Sequence, residues 1–548
     1  MKVIIIGGVA GGATAAARLR RLDERAEITI FEKGEHVSFA NCGLPYHIGG
    51  AIPKRESLLL QTAEGFRARY NVDAQTLHEA LAINRAAKTV SVKNLRSGDI
   101  REEHYDKLIL APGGAPVVPP IEGINCGRAF TLRNMADMDR IKAFIAEKRP
   151  RKAAVIGGGF IGMEMAENLI DCGLETTVVE MSSQVLAQFD ADIICEVHKH
   201  MRERGVRLRL NDALKKIIEG PDCLTLELQS GAIEADLIVL AIGVRPDVKL
   251  AKEAGLEIGA LGGIAVDRKM RSSDPDIYAA GDAVEAPDFS TGMPALIPLA
   301  GPANKQGRIA ADNIAGVNSE YKGAQGSAVI KVFEMTAACT GMNEKTAKRL
   351  KRDYDKAFLW LPGHSSYYPG AGYMSMKIIF ENVSGKILGA QIAGFGGVDK
   401  RCDALAVAIR AGMTARDLAA LDLCYAPPYS SAKDPVNVAG LVIENALSGK
   451  VKNVHWHDVD GLPRDGSAIL LDVRDPQEVA KGKIEGFINI PLNDLRSRLG
   501  ELDRGKPVFA HCHSGMRSYV ATRILAQKGF DARNIAGGYR LYAATKAP

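Results

Sequence analysis

The apolar positions fall into short continuous runs separated by glycine turns and helix-period stretches. Residues 2–6, Lys-Val-Ile-Ile-Ile, predict a buried strand, followed by Gly7-Gly8-Val9-Ala10-Gly11-Gly12 and a helical run over 13–22. A second strand, 28–31, ends at Glu32, 20 positions past Gly12. Short apolar runs bounded by glycine read as fully buried parallel strands. The order strand, glycine turn, helix, strand, acid has a chemical meaning. Glycines let the backbone approach a pyrophosphate, the helix start offers amides and the positive end of its dipole, and the acid accepts hydrogen bonds from ribose hydroxyls.

The unit recurs. A strand at 153–156 leads into Gly157-Gly158-Gly159-Phe160-Ile161-Gly162, a helix running to Cys172, and a strand at 176–179 ending at Glu180. Two such units predict two dinucleotides bound by one chain, a cofactor and a cosubstrate. Further strands close on glycine loops at 108–113, 239–246 and 277–282, the last ending in Gly281-Asp282. Residues 323–450 carry alternating strands, at 374–380 and 387–392, and a helix at 403–411, without either nucleotide motif. Residues 448–455 read as a polar connector, and 468–473 opens a last α/β pattern.

Composition narrows the classes. The chain has 548 residues, 46% hydrophobic and 25% charged, which fits about three or four globular domains rather than one. Seventy basic and sixty-five acidic residues leave +5, too dilute for a nucleic-acid surface. No apolar run is long enough to cross a bilayer. The uncharged stretch 3–17 after Lys2 imitates a secretory leader, but its glycines belong to the nucleotide turn. Nine scattered cysteines include no Cys-x-x-Cys, so zinc ribbons and adjacent dithiols lack support and a reducing cytoplasm is expected.

The motifs as a set carry a family resemblance. Residues 1–450 resemble a flavin-dependent pyridine nucleotide–disulfide oxidoreductase: the first turn matches the FAD site, the second the NAD(P)H site, and Asp282 the second FAD motif. Ser38-Phe39-Ala40-Asn41-Cys42-Gly43-Leu44-Pro45-Tyr46 resembles the active-site segment of coenzyme A disulfide reductases, which share Val9 in place of the middle glycine. Residues 459–548 resemble a rhodanese domain, with Cys512-His513-Ser514-Gly515-Met516-Arg517 as its active loop. The resemblance implies an α/β chain with two Rossmann-like nucleotide-binding domains, for FAD (1–118 and 246–322) and NADH (119–245). An α+β dimerisation domain (323–450), a linker (451–458) and a C-terminal α/β rhodanese domain (459–548) follow. It implies a homodimer that uses FAD, NADH and coenzyme A, with no metal, membrane or nucleic-acid partner.

It also implies site residues. Gly7, Gly8, Ala10, Gly11, Gly12, Glu32, Lys33, Asn41, Cys42, Gly113, Gly281 and Asp282 would hold FAD. Gly157, Gly159, Phe160, Ile161, Gly162, Glu180 and Gly243 would hold NADH, and Glu180 would repel a 2′-phosphate. Thr14, Arg18, Arg21, Ser38, Asn41 and Lys433 would meet coenzyme A, with Asn304 and Lys305 as weaker candidates. Cys42 would be the redox thiol and Cys512 a sulfane-sulfur carrier closed by the cation of Arg517. Tyr367 and Tyr425 of the second subunit would serve leaving thiolates, with Tyr368 a one-residue alternative to Tyr367. The remaining seven cysteines read as structural.

Each reading has a rival. The basic helix face from Arg18 to Arg25 also suits plain solvation, and tyrosines usually pack. His511 and His513 beside Cys512 admit a metal, and the loop admits a phosphatase. However, only four residues separate Cys512 from Arg517. Both thiols are placed at predicted helix starts, where an anion is favoured and a depressed pKa is expected. The leading function is NADH-dependent reduction of coenzyme A disulfide, coenzyme A persulfide or polysulfide. The alternatives are an NADH oxidase or peroxidase using a Cys42 sulfenic acid, and a non-redox sulfur carrier.

Overall fold

A computed structural model describes residues 1–546 and divides into two compact units, 1–185 with 205–326, and 186–204 with 327 onward. In the first unit, β1 (Lys2–Ile6) is buried through its isoleucines and runs parallel to β2 (Glu27–Glu32). Helix α1 (Ala10–Leu22) joins them, and its buried glycines and alanines allow close packing, Gly307 of the helix Ala300–Ile314 lying directly against the Gly11 backbone. Asp73–Thr76, β2, β1, Lys107–Leu110 and Ile277–Ala279 complete a five-stranded parallel sheet in that order. Arg20 is buried under α1 and donates to five backbone carbonyls, among them Ala26 and Tyr70, which closes the turn after the helix.

A one-turn helix, α2 (Leu44–Ile48), follows the Cys42 segment. The second parallel sheet repeats the first with β3 (Lys152–Ile156), α3 (Phe160–Asp171) and β4 (Glu175–Glu180). Its order is Arg207–Leu210, β4, β3, Leu237–Leu240, Ala129–Thr131; the first four strands repeat the first sheet, whereas the edge strand here precedes β3 in the chain instead of coming last.

The second unit contains α4 (Ala191–Glu203), which lies inside the interval expected for the NADH domain but groups with the later residues. The reason is its apolar face: Ile193, Ile194, Val197 and Met201 are buried, and Asp192 is bound by Lys377. A five-stranded antiparallel sheet includes β5 (Tyr354–Pro362) and β6 (Tyr373–Glu381) in full antiparallel register. Lys377 on β6 is completely buried and pairs with Asp190, Asp192 and Glu344 at 3.1, 2.8 and 2.6 Å.

The expected linker is partly structured. Within it β7 (Lys452–Val454) pairs with a strand of the last sheet, because three extended residues find an open parallel edge there. Trp456 then donates its indole N–H to Asp192 (3.3 Å), and His455 Nε2 contacts Asp355 (2.9 Å). The parallel C-terminal sheet runs β7, β9 (Ala532–Ile535), β8 (Val508–His511), Ile469–Asp472, Ile488–Asn489. Helices α5 (Met516–Gln527) and α6 (Gly538–Lys546) follow β8 and β9, respectively. No helix among the described residues is long and apolar enough to cross a membrane.

Candidate functional sites

The two glycine turns share one construction. The Gly8 amide donates to Glu32 Oε2 (2.9 Å) and the Gly34 amide to Oε1 (2.7 Å). In the second copy the Gly158 amide donates to Glu180 Oε2 and the Ser182 amide to Oε1, both at 2.7 Å. Each acid is therefore tied to its own turn with its outer lone pairs still available. Gly7 and Gly157 have φ of +94° and +105°, and a Cβ on either would lie within 2.4 Å of a backbone oxygen. Neither α1 nor α3 has a side-chain cap. The first amides of both helices, around Ala10, Gly11 and Gly12 and around Phe160, Ile161 and Gly162, are thus open to a phosphate. A Cβ on Gly159 would meet nothing within 4 Å, which leaves the backbone approachable. These turns fit dinucleotides.

Around the first turn, Gly113 and Gly281 take positive φ, as Gly243 does in the second copy. Asp282 is held above the usual carboxylate range by burial, offset by Arg133 at 3.6 Å. The Gly281 amide donates to Gln306 (2.8 Å). Lys33 lies on the surface, 3.7 Å from Asp247. Arg133 and Gln306 carry no local signature, and the sequence reading missed both.

Cys42 is an exposed free cysteine in a 3₁₀ turn, Asn41–Gly43, one residue ahead of α2. The expectation of a helix-lowered thiol is not met by the protein groups around it. Partial desolvation of the sulfur by the protein around it, then Glu164 on α3 and Asp282, push its pKa up, and only the turn's backbone and Arg133 act the other way. The reason is that α2 is a single turn with a weak dipole, whereas desolvation and, after it, two carboxylates act on the thiol. Glu164 is itself pushed up to about 7 by burial and by Glu167, with Tyr46 hydrogen-bonded to it.

The residues expected near coenzyme A scatter in environment. Thr14 donates to Asn304 Oδ1 (2.8 Å), bringing two of them together. Arg18 is committed to buried Asp312 through Nε (2.6 Å), so half of its guanidinium serves the fold instead of facing a phosphate. Arg21 is exposed, Ser38 is half-buried with φ +48°, and the Asn41 amide reaches only the Arg133 carbonyl at 3.5 Å.

In the second unit Tyr367 and Tyr425 are 74% and 48% exposed, yet their hydroxyls meet at 3.1 Å. Either hydroxyl can donate to the other, and this shared bond lowers the Tyr367 pKa and raises that of Tyr425. Tyr368 points elsewhere, its ring edge-on to His364. Lys433 is exposed.

Cys512 sits at the end of β8 and is only 1% exposed. Its Sγ accepts from the Gly515 amide (3.1 Å) and the Ser518 hydroxyl (3.4 Å), at the uncapped start of α5. Arg517 is not a free cation over the thiol. Its two terminal nitrogens engage Glu478, both at 2.7 Å, which holds the Glu478 carboxyl at about 2. Glu478 was missed, although Asp475-Pro-Gln-Glu478 is a capping-box pattern and the box forms. Ser518 was missed because a serine in a first helical turn has many commoner uses. Among the described residues no group of three or more His, Cys, Asp or Glu could hold a metal.

Comparison with known proteins places this geometry in a class. The chain belongs to the pyridine nucleotide-disulphide oxidoreductase family, whose profile matches residues 1–307, and it joins this core to further domains. The family's dimerisation domain matches 327–435, and a rhodanese-like domain matches 456–545. The coenzyme A disulfide reductase of Staphylococcus aureus (strain JH9) is 36% identical over 441 residues, which are 80% of this chain and 99% of that one. Reduced CoADR-RHD from Bacillus anthracis is 49% identical with a TM-score of 0.97, covering 99% of this chain and 98% of that chain. A NAD-dependent persulfide reductase from A. fulgidus is 39% identical with a TM-score of 0.92, covering 99% and 100%. Members of this family use FAD and NADH, which matches the two cradles.

Proposed function

We propose that the chain is an NADH-dependent flavoprotein that reduces coenzyme A disulfide, coenzyme A persulfide or polysulfide at Cys42, with Cys512 carrying sulfane sulfur. One observation carries the reading. The exposed Cys42 lies in the turn that leads from the first nucleotide domain into α2, and the last residue of α2, Ile48, accepts through its carbonyl from the Cys172 thiol just past the end of α3, the nucleotide helix of the second (3.3 Å), which supports a single sulfur working between the two cradles.

The electron and atom balance is simple. The Cys42 thiolate attacks one sulfur of R–S–S–R, the S–S bond breaks, and R–S⁻ leaves to be protonated. The resulting Cys42–S–S–R is cleaved by two electrons from NADH, giving the Cys42 thiolate and a second R–SH. Overall, NADH, one proton and R–S–S–R become NAD⁺ and two R–SH. FAD, when bound, supplies the relay for those two electrons.

The chain's own residues have the remaining tasks. Glu32 and Glu180 orient the two riboses, and Glu180 selects NADH over NADPH by opposing a 2′-phosphate. Thr14, Ser38, Asn41 and Arg21, with Lys433, form our candidate coenzyme A contacts. Tyr367 and Tyr425, contributed by the second copy of a homodimer, act as a paired hydroxyl donor to the leaving thiolate. Nine free cysteines suit a reducing cytoplasm.

The test is anaerobic NADH turnover with coenzyme A disulfide, coenzyme A persulfide and polysulfide, with sulfide and thiol release measured against peroxide consumption. Thiol or sulfide release matching NADH supports the reading. NADH consumption that requires oxygen or peroxide instead would replace it with an oxidase or peroxidase.

A further inference from the structure

Helix α6 begins against the Cys512 loop. The amides of Tyr539 and Arg540 donate to the carbonyls of Cys512 (2.8 Å) and His513 (2.9 Å). The approach is close: a Cβ on Gly538, at φ +63°, would lie 2.5 Å from the Cys512 oxygen. These two bonds fix the backbone of the two residues that open the sulfur cradle.

The Arg540 side chain turns the other way, out of the C-terminal α/β domain. Its Nη1 binds Glu196 on α4, its Nη2 binds Ser375 on β6, and its guanidinium lies 5.1 Å from the centre of the Trp360 ring on β5. Arg540 and Glu196 are 18% and 17% exposed, so this is a largely desolvated ion pair. Trp360 stacks on Tyr373 at 4.1 Å and receives the edge of the His513 ring at 5.4 Å. A small cavity lined by Trp360, Ser375, Ser514, Gly537 and Arg540 adjoins the contact.

One residue therefore holds the loop with its backbone and the antiparallel-sheet domain with its side chain. We propose that Arg540 is a positioning residue for Cys512, which makes the reactivity of the sulfur loop depend on the docking of its domain against β5, β6 and α4. The argument is mechanical and electrostatic. The Gly515 amide and the start of α5 favour the thiolate only while the loop keeps its shape. A guanidinium held by a carboxylate, a hydroxyl and an indole face cannot shift without leaving Glu196 buried and unpaired. The inference rests on the reading of Cys512 as a sulfur carrier, and the experiment separates the two.

In the full-length holoenzyme, the pH profile of Cys512 alkylation by iodoacetamide is followed by peptide mass spectrometry in wild type, R540M, R540K, E196Q and R540M/E196Q. Thiosulfate-to-cyanide sulfur transfer is measured in parallel. There the Cys512 thiolate takes the outer sulfur, sulfite leaves, and cyanide accepts the sulfur as thiocyanate. In R540M the midpoint of the alkylation profile is expected to move up by about one pH unit, which is about a tenfold change in the proton affinity of the thiolate. Lysine is expected to restore part of the shift. E196Q should move it in the same direction, and the double variant should be no worse than R540M, as expected of one coupled unit. NADH-dependent reduction of coenzyme A disulfide should stay within twofold, roughly the scatter of additive distant sites. An unshifted profile in R540M and E196Q overturns the positioning role. Absence of any persulfide on Cys512 of the wild type after thiosulfate or polysulfide overturns the sulfur-carrier reading instead.

Discussion

Arg517 and Glu478 form a two-pronged ion pair at the rim of the Cys512 loop, with Nη1 on Oε2 and Nη2 on Oε1, each at 2.7 Å. The pair depresses the Glu478 pKa, so it stabilises the fold above the unfolded carboxylate range and loses this contribution as pH falls from about 4.5 through about 2. Replacing Glu478 by Gln should lower stability near pH 7 by about 0.5–1 kcal/mol, a modest figure because both side chains are about one-third exposed. Thermal denaturation at pH 7 and pH 3 measures it. A deficit as large at pH 3 as at pH 7 would refute the pairing as its source.

Glu164 gives the opposite sign. Its carboxyl is held up to about 7, so the folded chain binds that proton more tightly than the unfolded chain does. Stability is therefore lost as pH rises from about 4.5 through about 7, by about 3 kcal/mol. Glu164→Gln should melt higher than wild type at pH 8 and close to it at pH 4.5. Equal differences at the two pH values would exclude Glu164 as the titrating group.

Cys42 and Cys512 should separate cleanly by substrate. Cys42→Ser should lower coenzyme A disulfide turnover by at least about 10³-fold, because the hydroxyl is a far weaker nucleophile than the thiolate. Cys512→Ser should leave that turnover intact and impair some persulfide donors. Equal loss with both substrates in Cys512→Ser would end the division of labour.

Glu180 should set the nucleotide preference. Wild type should favour NADH in kcat/KM, and Glu180→Ala should narrow the ratio to NADPH by about tenfold, since a like charge next to a phosphate is costly. A wild-type preference for NADPH would contradict the role assigned to the carboxylate.

The fold was legible wherever local pattern and tertiary need coincide. The strand-turn-helix-acid units could be read because apolar strands, glycines and one acid must occur at fixed spacing to make the turn. The packing of helix α4 could not be read locally, because its apolar face states only that something covers it, and the sheet strand it meets lies 170 residues later. Residues 452–454 looked like a connector because three polar-flanked residues have no period to show. At the sites, the thiols and turns were visible as motifs. Arg133, Gln306 and Glu164 were not, since each matters through a neighbour distant in sequence, and Ser518 was not because a serine in a first helical turn carries no distinctive signal. The pKa expectation for Cys42 failed for the same reason: the helix start is local, whereas the protein that desolvates the thiol, with Glu164 and Asp282, arrives from distant parts of the chain, those two from 122 and 240 residues away.

The carboxylate latch has a thermodynamic consequence. Glu32 and Glu180 are each held by two backbone amides, so in the proposed ribose-binding role neither has much rotamer freedom left to lose. Each site is thereby spared about 0.5–1.5 kcal/mol of ordering entropy on binding. Because the saving is the same in both, it cannot distinguish a nucleotide that stays from one that is exchanged on every turnover. Different residence times must come from what the copies do not share, beginning with the Gly281–Gln306 contact and the Asp282–Arg133 pair beside the first turn.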